Sequence, residues 1–141
     1  MSESAKNSIL IVDDEPQDIL FLNHVLGENY QVYAAKDGAE GIEKARKIRP
    51  DLILLDIVLP GISGYQVLRE LKTSFETKDI PVIIITGLES VEDLDYTLEN
   101  GAADFIPKPF GELIVKKRVG HQIAIVNLTR TARGQPDTGH D

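Results

Sequence analysis

The chain has no cysteine among its 141 residues. That excludes disulfides, thiolate catalysis and cysteine-ligated metals. No unbroken apolar run approaches the roughly 20 residues needed to span a bilayer. The N-terminus, Met1 to Asn7, is polar and lacks the apolar core of a signal peptide. These absences lead us to expect a cytoplasmic protein with no membrane association. Positive charge is also scarce: Lys and Arg number 15 against 23 Asp and Glu, for a net charge of −8. So acidic a surface disfavours direct nucleic-acid binding and favours cations or basic partners.

What remains is ordinary for one globular domain, 42% hydrophobic and 27% charged. Five short apolar runs alternate with five helical patterns. The runs are Ile9–Val12, Gln31–Ala35, Leu52–Leu55, Val82–Ile85 and Asp104–Ile106. The second is less apolar, as an edge strand would be. Helical periodicity follows each run. Pro16 suits a first turn, with Ile19, Leu20, Leu22, Val25 and Leu26 behind it. Ala39, Ile42, Ala45 and Ile48 recur at helical spacing up to Pro50. Ser63 is placed to cap a helix carrying Val67, Leu68 and Leu71. An acidic helix is expected over Ser90 to Asn100, and a long one from about Gly111 to Arg130. Strict strand–helix alternation implies a parallel sheet covered on both faces, with all strand C-termini along one edge. Ligands of such sheets bind at that edge.

Asp13 and Asp14 follow the first strand, Asp56 ends the third, Thr86 the fourth, and Lys108 follows the fifth. Each alone has a bland reading as a cap, a turn or a surface residue; their convergence at one edge is the signal. Clustered carboxylates repel one another unless a cation intervenes. A hard divalent ion, Mg²⁺ (or Mn²⁺), suits an all-oxygen site without His or Cys. An aspartate beside a lysine and a hydroxyl also suits a phosphoryl group carried on a carboxylate. Asp56, alone on a central strand and facing the other four, is the best nucleophile.

Order and spacing of these stretches resemble the response-regulator receiver family. The matching segments are Ile9–Glu15, Asp51–Asp56, Leu59-Pro60-Gly61 with Gly64, Ile83–Gly87, and Gly101-Ala102 through Asp104–Phe110. The resemblance covers about residues 8–126. It implies a flavodoxin-like, doubly wound (βα)5 fold with sheet order 2-1-3-4-5. It implies that Asp56 takes a phosphoryl group from the phosphohistidine of a sensor histidine kinase or phosphotransfer protein. Asp14 and Asp56 would hold the metal directly and Asp13 through water, with the backbone carbonyl of Val58 completing the set. Lys108 would pair with the phosphate. The Lys108–Pro109 bond would be cis. Thr86 and Phe105 would form the switch coupling the site to the face of the fourth helix, fifth strand and fifth helix. Gly87 stands where the family usually has Ala. Val58 and Leu88, both apolar, occupy the positions that tune water access, so self-dephosphorylation should be slow.

Domain boundaries are expected at 1–7 for a disordered start, 8–130 for the receiver and 131–141 for a polar tail or linker. Too few residues follow Lys108 for an output module, which leaves a stand-alone switch or a receiver taken from a longer chain. In the last helix Leu113, Ile114, Val115, Val119, Ile123 and Val126 can face the sheet, whereas Ile125 and Leu128 fall off that stripe. Acidic Glu89 to Glu99 and the basic segment from Lys116 suggest a homodimer pairing acid with base. Three rival readings are weaker. A flavodoxin would not place Asp13-Asp14-Glu15 against a phosphate. A haloacid-dehalogenase-type phosphatase would want a second Asp where Val58 stands. A degenerate scaffold would have lost one of the five polar residues. A signalling switch, not a metabolic enzyme, is expected.

Overall fold

The computed structural model describes residues 6–87 and 91–132, without the side chains of Thr86 and residues 91–94. The elements are β1 (Ser8–Val12), α1 (Pro16–Leu26), β2 (Gln31–Ala35), α2 (Gly38–Ile48), β3 (Leu52–Asp56), α3 (Gly64–Thr73), β4 (Val82–Thr86), α4 (Val91–Glu99), β5 (Asp104–Pro107) and α5 (Glu112–Ala132). All strand pairs are parallel and the order is β2-β1-β3-β4-β5. This is the flavodoxin-like fold expected from the sequence.

Local chemistry sets the boundaries. Pro16 opens α1, where its missing N–H costs nothing. Asp37 caps α2 by accepting the Glu40 N–H at 2.8 Å, and Ser63 caps α3 by accepting that of Gln66 at 3.3 Å. Arg49 ends α2 with a left-handed φ of 51°, and Pro50 prevents continuation. Helix α5 reaches Ala132, two residues past the expected end, while Ser90, expected to open α4, lies outside the described residues.

Strand alternation divides the core in two. Leu10, Val12, Ile53, Leu55, Val82 and Ile84 meet α2 and α3 on one face. Ile9, Ile11, Leu52, Leu54, Ile83 and Ile85 meet α1 and α5 on the other. Each fully buried aliphatic side chain contributes about 1.5–3 kcal/mol, so β1, β3 and β4 form a stiff base for whatever stands at their ends. The α5 stripe needs two corrections. Leu113 points to solvent, 69% exposed, because it falls off the angle shared by Val115, Val119 and Ile123. Gln122, a polar residue, occupies a buried position on that stripe instead. Leu20 on α1 is likewise exposed. Ile125 and Leu128 are exposed, in keeping with their place off the stripe.

Candidate functional site

The sheet register aligns the ends that matter. Val12 pairs with Leu55, and Asp56 with Ile85. Asp13 and Asp56 therefore emerge side by side where β1 and β3 finish. Asp13 is fully buried and Asp56 nearly so, while Asp14 is exposed. One carboxylate oxygen from each of the three lies within 4.8 Å of the others.

Both oxygens of Asp56 accept hydrogen bonds. The Val58 N–H donates to Oδ1 at 3.1 Å, and Lys108 Nζ donates to Oδ2 at 2.8 Å. The Val58 side chain itself is exposed. The β3 exit is held close to α3 by Gly64. Its N–H donates to the Ile57 carbonyl at 2.8 Å, and a Cβ there would come within 2.4 Å of the Asp56 carbonyl oxygen. Only glycine permits that approach.

Lys108 reaches the cluster from the loop after β5, and its bond to Pro109 is cis. Its ammonium lies 2.8 Å from Asp56 Oδ2, 2.8 Å from Asp18 Oδ2, 3.4 Å from Asp13 Oδ2 and 3.8 Å from Glu15 Oε1. Burial alone would lower the lysine pKa, but the surrounding carboxylates of Asp18, Asp56 and Asp13 outweigh it and raise it. Lys108 is thus a permanent cation. The Asp13 carboxyl is pushed up to about 7, first by burial and then by repulsion from Asp56 and Asp18, against the Glu15 N–H and Lys108. Its Oδ2 is buried without a hydrogen-bond donor among the described residues. An orphaned buried carboxylate oxygen beside two more carboxylates fits a divalent cation.

The structure therefore gathers Asp13, Asp14, Asp56 and Lys108 from three segments. Thr86 closes β4 opposite Pro107, which puts its backbone at the same edge, but its side chain is not among those described. Leu88 lies outside the described residues. Phe105 on β5 pairs with Ile84 on β4 and is half-buried against the α2–α3 face of the core. The sequence reading missed Glu15 and Asp18. The available signal was the start of α1 at Pro16, which places Asp18 in a first turn directly after the acidic pair.

The response regulator receiver domain family matches residues 9–120. Protein PilH of Pseudomonas aeruginosa is 38% identical over 117 residues, covering 82% of this chain and 97% of that protein. A probable cyclic di-GMP phosphodiesterase of Vibrio cholerae is 40% identical over 119 residues, covering 84% of this chain but only 27% of the enzyme. The chain thus spans about a quarter of that relative's length. Among solved structures, the receiver domain of a sensor histidine kinase from Pseudomonas aeruginosa superposes with a TM-score of 0.78 at 28% identity. That match covers 85% of this chain and 99% of the other, which has a magnesium ion coordinated in its active-site cleft.

A parallel five-stranded sheet with acids and a lysine gathered at its carboxyl edge defines a signalling switch of the two-component class. The chain belongs to the response regulator receiver domain family.

Proposed function

We propose that this receiver accepts a phosphoryl group on Asp56 and holds it with Lys108 and a divalent cation. The observation that carries the reading is the Lys108–Asp56 contact at 2.8 Å within an excess of carboxylates. A carboxylate oxygen of Asp56 attacks phosphorus. The bond from phosphorus to the donor breaks, and the donor leaves with the electron pair: an imidazole nitrogen for phosphohistidine, an acetate oxygen for acetyl phosphate. Lys108 neutralises one phosphoryl oxygen, and the Val58 N–H keeps the acceptor carboxylate oriented. Asp13, Asp14, Asp56 and the Val58 carbonyl would hold Mg²⁺ (or Mn²⁺), which supplies further neutralisation of phosphoryl charge when bound. Thr86 would take another phosphoryl oxygen, and Phe105 would move with it.

The donor is a sensor histidine kinase or a phosphotransfer protein, and the output is read through α4, β5 and α5. That face offers exposed acids Asp95 and Glu99 on α4 and the Arg118–Asp104 ion pair (2.7 Å) between α5 and β5, with Lys117 exposed nearby. Lys116 instead pairs with Glu112 at 2.9 Å on the α1 side of α5. The surface suits a second copy or an output partner. Among the described residues no helix is long and apolar enough to cross a membrane, consistent with work in the cytoplasm. The net charge of −8 argues against direct nucleic-acid contact by this domain.

Acetyl phosphate with Mg²⁺ tests the reading. The protein should acquire one acid-stable, base- and hydroxylamine-labile phosphoryl group, and chelating the metal should prevent it. Equal labelling after chelation would contradict it.

A further inference from the structure

Asp18 stands outside the set of residues that phosphoryl transfer to Asp56 requires, yet it shares the same ammonium. Lys108 Nζ is 2.8 Å from Asp18 Oδ2, the same distance as from Asp56 Oδ2. The Asp18 side chain is 18% exposed, and Lys108 is the one cation it pairs with among the described residues. The arrangement is braced. Phe21, one turn further along α1, meets Phe110, two residues past Lys108, with ring centroids 5.6 Å apart. Helix α1 and the lysine loop are therefore held together independently of the ion pair.

Lysine carries a compact point charge. Attraction shared with Asp18 while Asp56 carries no phosphoryl group must be weakened or divided when one arrives. We propose that Asp18 is a positioning residue that holds Lys108 toward α1 and competes with the phosphoryl group for it, so that it sets how readily the site fills. This rests on the acceptor reading above. The bridge from α1 through Asp18 to Lys108 would also make the first turn of α1 sensitive to occupancy of Asp56.

Beryllofluoride with saturating Mg²⁺ is a suitable phosphoryl probe, followed by fluorine NMR or calorimetry on the whole chain. Asp18→Asn should tighten binding by about fivefold, the order expected for losing one partly exposed charge pair. Asp18→Glu, which keeps the charge, should stay near the wild type. In a Lys108→Gln background, Asp18→Asn should have no effect, because competition for the ammonium no longer exists. A merely structural role would change the melting temperature of Asp18→Asn without tightening beryllofluoride. Unchanged or weaker binding in Asp18→Asn overturns the proposal. So does tightening that persists without Lys108, which would reduce Asp18 to simple charge repulsion. Failure of the wild type to bind beryllofluoride would instead bring down the acceptor reading, and this proposal with it.

Discussion

Strand β3 is bounded by two buried aspartates that live under opposite conditions. Asp51, just before the strand, is saturated. Its Oδ2 accepts the Ser8 N–H at 2.8 Å and Asn7 Nδ2 at 3.1 Å, and its Oδ1 pairs with Arg130 near the end of α5. Asp56, at the other end, shares its cation with Asp13, Glu15 and Asp18. At the amino pole, one carboxylate with an arginine and two N–H donors ties three parts of the chain together. At the carboxyl pole, negative charge exceeds positive, and two buried oxygens, Asp13 Oδ2 and Asp18 Oδ2, accept no hydrogen bond among the described residues. Burial of an acid does not make a site; an unbalanced surplus of acids does. The first arrangement is complete within the protein, and the second carries a surplus of acids that a divalent cation would balance.

Exchanging the two aspartates for uncharged residues should break the comparison most sharply. Asp51→Ala leaves Arg130 and the Ser8 N–H without their acceptor, and should cost about 3 kcal/mol in urea unfolding. Phosphoryl uptake should survive it. Asp56→Asn should abolish uptake while leaving stability unchanged or higher, because it relieves repulsion around Asp13. Loss of uptake in the folded Asp51→Ala protein would mean that the two poles are not independent.

The next effect is pH-dependent and belongs to the carboxyl pole alone. With the Asp13 carboxyl raised to about 7 from 3.8, the folded protein holds a proton that the unfolded chain has released between those values. This group's contribution is fully present below about 3.8 and is lost as pH rises toward and through about 7. Asp13 would help hold a cation only in its ionised form, so the opposite trend is expected for the cation. The gain in melting temperature on adding Mg²⁺ should be larger at about pH 8 than at about pH 6. Asp13→Asn should flatten that difference, and Asp51→Ala should not. A gain independent of pH in the wild type would show that Asp13 takes no part in holding the cation.

A smaller effect concerns water. Val58 is 71% exposed beside the acceptor but offers no polar side-chain atom. Slow hydrolysis of the phosphorylated protein is expected. Val58→Asn should shorten the phosphoryl lifetime by about fivefold, well below the roughly 10²–10⁴-fold of full general-base catalysis. A wild-type lifetime of seconds, or no change in the variant, would contradict this reading of the position.

Much of this was legible in the sequence because parallel sheets write themselves plainly. Buried strands are continuous apolar runs, and their ends are marked by the polar residues that follow. Asp13, Asp14, Asp56 and Lys108 fell to one edge on that logic alone, while the strand order came from the family resemblance. The rest needed three dimensions. Asp18 looks like an ordinary acid in a helix first turn, and only the path of the lysine loop brings an ammonium to it. Leu113 is apolar and close to the stripe, but the true angle of α5 is set by Val115, Val119 and Ile123, with Gln122 among them. Asp51 gives no hint in the sequence that a helix some eighty residues later will deliver Arg130 to it.

The most direct measurement is the location of the phosphoryl group. Borohydride reduces an aspartyl phosphate to homoserine, and peptide mass spectrometry then reads the position. After treatment with acetyl phosphate and Mg²⁺, homoserine is expected at position 56 alone. Its appearance at 13, 14 or 18, or nowhere in the chain, would contradict Asp56 as the acceptor.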